Sequence, residues 1–265
     1  MKYGFIGTGN MGGALATACA KAVEPESILL SNRSPEKARA LAEKLGASCA
    51  DNETIARDCD VIFLGVKPQT MSRMLQPLQP ILAGRRTPFV LVSMAAGVTI
   101  AALEQAAPGC PILRIMPNTA CAVGAGLTLY DANALLTKPQ LDAFLADMAA
   151  SGRLEALPEH LIDAGSAVAG CGGAFACLFM EGLADGAVTC GLPRDKANTF
   201  AAQMLLGAAR LALESGKPFG QMKDEICSPG GTTIAGVRAL EEGGLRAAAM
   251  NAVIAAYEKT LQLKK

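Results

Sequence analysis

The chain has a single histidine, His160, and no two of its nine cysteines stand in CxxC spacing. Zinc-type ligand spacing is therefore missing, and no metal is expected. An odd number of cysteines with no framework excludes a disulfide-stapled secreted fold, so the thiols read as buried groups of a reducing, cytoplasmic compartment. None has the adjacent basic residue that would activate a catalytic thiol. There is no run of basic residues: Lys+Arg and Asp+Glu balance at 24 each, which excludes a partner of nucleic-acid type and leaves a small molecule. Two uncharged runs, 87–103 and 164–180, fall just short of a comfortable membrane span and contain glycine and serine, so they read as buried elements of a soluble protein with no membrane partner. The uncharged stretch after Lys2 imitates a signal peptide, but Asn10 and five glycines interrupt its would-be apolar core.

Those glycines carry the most information. A short apolar strand, 2–6, runs into Gly7-Thr8-Gly9-Asn10-Met11-Gly12 and then into an Ala-rich helix. GxGxxG alone is weak in a chain with 28 glycines, but between a strand and a helix it has a mechanism. Gly7 permits the tight turn, Gly9 admits a pyrophosphate to the backbone, and Gly12 lets helix and strand pack closely. The helix N-terminus then offers free N–H groups to the phosphates. A second strand, 27–30, leads to Asn32 and Arg33, where an NAD-preferring site carries an acid for the ribose 2′-hydroxyl. No acid stands there, and Arg33 suits a 2′-phosphate. The competing reading of Arg33 is a solvated residue before the next helix.

At 265 residues the chain has room for two domains with proper cores. Up to about residue 155, candidate strands (2–6, 27–30, 61–64, 89–92, 112–115 and 126–130) alternate with helical segments, the pattern of a parallel α/β sheet. A helix start is clearest at Thr137-Lys138-Pro139, a cap residue followed by an early proline. Beyond Leu157 the pattern is helical only, with breaks at glycine- and proline-rich turns. The expected organisation is a nucleotide-binding α/β domain, 1–155, followed by an all-α domain, 156–265. The segment 172–190 is apolar nearly all round, with Glu181 and Asp185 as its only charges. A region of this size has too little interior to bury such a helix, so it is expected to pack against a second copy of the chain.

Loops at successive strand ends hold the other candidate contacts: Val66-Lys67-Pro68, Ala95-Ala96-Gly97 and Met116-Pro117-Asn118-Thr119. Ligands of open α/β sheets bind at these ends, although each loop alone also fits ordinary turn chemistry. Far from them, Ser228-Pro229-Gly230-Gly231-Thr232-Thr233 joins two helices. Its amides and hydroxyls make a neutral cradle for a carboxylate; a plain helix N-cap would use the same residue types.

Together these motifs, with Arg114 and the run through Ile234-Ala235, resemble the pyrroline-5-carboxylate reductases over essentially the whole chain. The 228–235 run is the most specific, since most other dinucleotide-binding families have no counterpart to it. The resemblance implies a Rossmann-type parallel-sheet domain followed by a helical dimerisation domain, a homodimer that in some members forms larger rings, and reduction of 1-pyrroline-5-carboxylate to L-proline by NADPH or NADH. It carries cofactor contacts to Gly7, Gly9, Asn10, Met11, Asn32, Arg33, Asn52, Val66, Lys67, Pro68, Ala95 and Ala96. It carries the substrate carboxylate to Ser228, Gly230, Gly231 and Thr232, and a hydroxyl near the ring nitrogen to Thr233. Two positions depart from the family pattern: Cys171-Gly172-Gly173-Ala174-Phe175 replaces a Ser-Gly-Pro-Ala-Tyr-like run, and Ala120 stands where proline is usual. A β-hydroxyacid dehydrogenase would need a lysine on the helix that opens the second domain, and 172–190 has none. A non-catalytic redox sensor that binds NADP is the other alternative, because the fold alone implies no turnover.

Overall fold

Continuous apolar runs of four or five residues form strands buried on both faces, as a parallel sheet covered by helices requires. The strands are β1 (Tyr3–Ile6), β2 (Ile28–Ser31), β3 (Ser48–Cys49), β4 (Val61–Leu64), β5 (Val90–Ser93), β6 (Ile112–Met116), β7 (Gly126–Ala132) and β8 (Gly152–Ala156); β1, β4, β5 and β6 are buried throughout. In this computed structural model, which describes residues 1–263, they form one sheet in the order β3-β2-β1-β4-β5-β6-β7-β8. β1 to β6 are mutually parallel; β7 runs antiparallel to β6, and β8 lies parallel to β7. The sheet is thus mostly parallel, with its last two strands reversed.

β3 and β8 were not expected from the sequence. β3 has only two residues, and β8 is an edge strand whose Arg153 and Glu155 are exposed, so neither carries the apolar run that marks a buried strand.

Helices of the first part are α1 (Asn10–Cys19), α2 (Pro35–Leu45), α3 (Asn52–Asp58), α4 (Met71–Leu75), α5 (Gln79–Ala83), α6 (Ile100–Ala106), α7 (Lys138–Asp147) and α8 (Glu159–Ala169). Their starts follow capping chemistry. Asp51 accepts from the Thr54 amide, Thr99 accepts from the Ala102 amide, and Thr137 with Gln140 closes a capping box. Alternation along the strands sorts the core into two layers. Phe5, Phe63 and Val92 pack with Leu15 and Phe144 on one face, and Ile6, Ile62 and Leu64 pack with Ile55 and Leu75 on the other. Phe5 and Phe63 stack at 4.2 Å between ring centroids, a pair worth about 1 kcal/mol beyond its area.

The chain divides into two compact units, one of residues 1–170 together with the C-terminal helix from Tyr257, the other Cys171–Ala256. The first unit extends past the 155/156 boundary expected from sequence: it takes in α8, through Ile162 packed with Met116 and Leu129.

The second unit contains α9 (Gly172–Thr189), α10 (Arg194–Ser215), α11 (Phe219–Ile226), α12 (Thr232–Glu242) and most of α13 (Leu245–Leu263). Its own core is small: Ala184 of α9 and Ala197 and Ala201 of α10, with Met180, Leu183 and Leu192 around them. Leu178 is 69% exposed, Leu213 76% and Phe219 80%. Residues 159–189 are long and apolar enough to cross a membrane by length and composition, and the chain itself buries 17% of the 18-residue apolar window within them. The run 164–180 is therefore not buried within one chain. Contiguous apolar surface of this kind marks an association face. Replacing Leu178 and Phe200 together by glutamate should convert the assembled protein to monomers, read by sedimentation velocity, with the sheet unit still folded by circular dichroism.

Candidate active site

The first glycine turn is built by contact between backbones. Gly7 has φ 100° and donates its amide to the Ser31 carbonyl at 2.8 Å, while Gly65, after β4, donates to Ile6 at 2.8 Å. A Cβ on Gly65 would lie 2.3 Å from the Gly7 carbonyl oxygen, and one on Gly12 2.1 Å from the same atom. Those positions are closed by the fold itself. Gly9 is different, since a Cβ there would meet nothing of the chain within 4 Å. Open space beside an N-terminal turn is where a phosphate group approaches. No side chain caps α1, which leaves the first-turn amides of Asn10 and Met11 available. The Thr8 hydroxyl is buried and has no hydrogen-bond partner, so the turn holds an orphaned polar atom where a ligand would supply the missing bond. Thr8 was not singled out from the sequence; only the fold shows that its hydroxyl is enclosed.

Beyond the turn a cleft of about 740 Å³ opens between the end of β2 and the start of α3. Asn32 and Asn52 both line it, and the Ser31 hydroxyl donates to Asn52 Oδ1 at 2.6 Å, which orients that amide. Asp51 also lines the cleft; the Thr54 backbone amide holds its carboxyl below the usual range. Arg39 lines the cleft from α2, whereas Arg33 is exposed and is not among the lining residues. Arg39 stands one helical turn beyond Pro35, which also lines the cleft, a spacing that could have drawn attention to it. Val66 is half-buried after β4, with Lys67 and Pro68 exposed beside it, and Ala96 is exposed after β5 while Ala95 is buried. All of these belong to the first unit and follow carboxyl ends of parallel strands or begin the next helix. The residues present fit a dinucleotide with a 2′-phosphate: an open glycine turn, an unsatisfied hydroxyl, two arginines on α2 or its approach, and no acid at Asn32.

The 228–233 loop belongs to the second unit, between α11 and α12. Gly230 has φ 69°, the Gly231 amide donates to the Ser228 carbonyl at 3.0 Å, and a Cβ on Gly231 would lie 2.4 Å from Ser228 Oγ. Gly231 is the N-cap of α12 and no side chain caps the helix. An ordinary cap would place a Ser or Thr oxygen on those amides. Here Thr232 and Thr233 are exposed and the first-turn amides have no side-chain cap, the arrangement a carboxylate uses.

His160 is exposed on the first turn of α8, apart from these loops. The buried thiols of Cys19 and Cys59 are pushed up to about 12 by burial, so they stay protonated at neutral pH and inert. All nine cysteines are free. Among the described residues no group of three His, Cys, Asp or Glu side chains could hold a metal ion.

Residues 159–263 match the family described as pyrroline-5-carboxylate reductase dimerisation, and residues 2–97 match NADP oxidoreductase coenzyme F420-dependent. The chain is 41% identical to the pyrroline-5-carboxylate reductase of Methanosarcina acetivorans and 39% identical to that of Escherichia coli, in each case over 100% of this chain and 98% of the relative. Among solved structures it is similar to the Plasmodium falciparum pyrroline carboxylate reductase with NADP bound, at 32% identity and TM-score 0.89 over 100% of this chain and 98% of that one. It is also similar to a pyrroline-5-carboxylate reductase from Coxiella burnetii, at 34% identity and TM-score 0.88 with the same coverage.

The two kinds of glycine separate in experiment. Gly9→Val should abolish NADP binding in calorimetry while costing no more than about 1 kcal/mol of stability, the effect of a lost N-cap residue of α1. Gly12→Val should cost about 1–3 kcal/mol of stability through forced backbone displacement, read by chemical denaturation.

Proposed function

The chain belongs to the pyrroline-5-carboxylate reductase family, and we propose a division of labour between its two units for the reduction of 1-pyrroline-5-carboxylate to L-proline. It is an oxidoreductase with an NADP-binding Rossmann-type domain and a helical domain through which it self-associates; a β-hydroxyacid dehydrogenase or a non-catalytic NADP sensor is not favoured by the full-length relatives. The proposed functional boundary is the sequence-based one, with 1–155 for the dinucleotide and 156–265 for dimerisation and substrate. We place the protein in the cytoplasm, a reading supported by nine free thiols.

On this reading Gly7, Gly9, Asn10 and Met11 hold the pyrophosphate, and Asn32, Arg33 and Asn52 hold the adenosine end. Val66, Lys67, Pro68, Ala95 and Ala96 line the nicotinamide end. When bound, the reduced dinucleotide supplies the hydride. Ser228, Gly230, Gly231 and Thr232 receive the substrate carboxylate through amides and hydroxyls, without a cation. The observation that carries this part of the proposal is the uncapped, exposed N-terminus of α12 at Gly230-Gly231-Thr232.

A neutral cradle fits the chemistry. A cyclic imine is most easily reduced as its protonated iminium, which already carries the charge that a hydride seeks, so no strong acid is required at the ring nitrogen. Thr233 supplies a hydroxyl that orients or hydrogen-bonds that nitrogen. Catalysis then rests mainly on orientation, an effect worth about 7–11 kcal/mol in favourable systems. The absence of any carboxylate or histidine from the 228–233 loop agrees with this.

NADPH oxidation dependent on 1-pyrroline-5-carboxylate, with proline as product, tests the reaction directly. Thr233→Ala should lower kcat by about ten- to a hundredfold, with little change in NADPH affinity, and Thr233→Ser should recover most of the loss. Arg33→Ala should raise the Michaelis constant for NADPH and leave that for NADH nearly unchanged, since only the former has a 2′-phosphate.

A further inference from the structure

A charge in the middle of a buried strand is costly unless it is paired. β6 reads Ile-Leu-Arg-Ile-Met, all five residues are buried, and Arg114 is 0% exposed. Its fork reaches α8: Nη1 donates to Glu159 Oε1 at 2.9 Å and Nη2 to Asp163 Oδ1 at 3.1 Å. The two carboxylates are four residues apart, so one guanidinium spans one helical turn.

Glu159 does more than pair with Arg114. The same Oε1 accepts the amide of Ile100, the first residue of α6, at 2.7 Å. The Glu159 amide donates to Asp131 Oδ2 at 2.7 Å, and Asp131 stands opposite Arg114 in the β6–β7 register. On the other side, Arg114 pairs in register with Ser93, the last residue of β5. The turn 94–99 is therefore anchored at both ends to one strand residue: at Ser93 through the ladder, and at Ile100 through Glu159. It contains Ala95, which is buried in the core with Ile6 and Leu64, and Ala96, which is exposed; the hydrogen bonds within the turn are longer than those at its ends, with the Ala95 amide 3.4 Å from Ser93 Oγ and the Val98 amide 3.3 Å from the Ala95 carbonyl. At the far end of α8, Asn118 of the β6 loop donates Nδ2 to the Ala169 carbonyl at 3.0 Å, so α8 is tied to β6 at both termini.

We propose that Arg114 and Glu159 are positioning residues for hydride transfer. Acting through the Ile100 amide, the pair holds the 94–99 turn at the height needed to seat the nicotinamide end of the dinucleotide. This rests on the reading that Ala95 and Ala96 face that end. A misplacement of about 1 Å at such a turn lowers turnover by about a hundredfold while leaving distant binding contacts intact.

The test is made at Glu159, whose side chain is 28% exposed, because removing Arg114 would take its guanidinium away from two carboxylates, one of them buried. Glu159→Ala should lower kcat by about ten- to a hundredfold with the Michaelis constant for NADPH changed less than about twofold. In the protein without dinucleotide, hydrogen exchange should rise in 94–103 and not elsewhere in the sheet. Glu159→Gln keeps an acceptor for the Ile100 amide and should restore both exchange protection and most of the turnover. Ala96→Leu, made in parallel, tests whether the turn faces the dinucleotide. Unchanged kcat and exchange in Glu159→Ala, with Ala96→Leu impaired in NADPH binding, would overturn the clamp alone. If Ala96→Leu is also unimpaired, the placement of the nicotinamide end is wrong and the clamp falls with it. Exchange rising throughout the sheet, with Glu159→Gln no better than Glu159→Ala, would reduce the cluster to a stabilising ion pair and overturn the proposal.

Discussion

The carbonyl oxygen of Gly7 is the atom around which the first unit is arranged. Two chain segments, the start of α1 at Gly12 and the end of β4 at Gly65, approach it more closely than any side chain would allow. That approach draws α1 onto the strand ends, so that its uncapped first turn opens beside the parallel strands' carboxyl ends. The same packing encloses the Thr8 hydroxyl without a partner. Fold and ligand chemistry are inseparable at Gly7, Gly12 and Gly65, and they separate at Gly9, where nothing in the chain calls for glycine.

The second unit obeys a different constraint. Its helices are rich in alanine, which forms helix readily and buries little area per residue. The α9–α10 pair meets through Ala184, Ala197 and Ala201, leaving the larger apolar side chains facing outward. A helical array of this composition becomes well packed only when other apolar surface covers it, which is the part a second copy plays in a family defined by its dimerisation domain.

Individual elements show how far sequence reasoning reaches. β1, β4 and β5 were legible as apolar runs between turn signals, β6 as an apolar run broken only by Arg114, and α7 because Thr137 and Pro139 mark its start. β8 was not, because an edge strand with Arg153 and Glu155 has no reason to be apolar. The reversal of β7 was not, because period-2 alternation is the same for either strand direction. Arg114 entered the sequence reading only among the residues that carry the family resemblance, and its partners lie 45 and 49 residues further along. Arg39 and Thr8 passed unnoticed, since a cleft lining and a buried hydroxyl are properties of the fold.

The sequence by itself determined the order of strands and helices, the glycine turn, the change from mixed to helical structure near residue 157, and the surplus of apolar surface in the second half. These depend on local backbone preferences and on periodicity, which act over a few residues. The tertiary structure alone decided the direction of β7, the assignment of α8 to the sheet unit, and the fact that one carboxylate oxygen of Glu159 serves both Arg114 and the Ile100 amide. Such features come from groups distant in the chain competing for the same buried space and the same hydrogen bonds, and that competition is settled only when the sheet and its helices are packed.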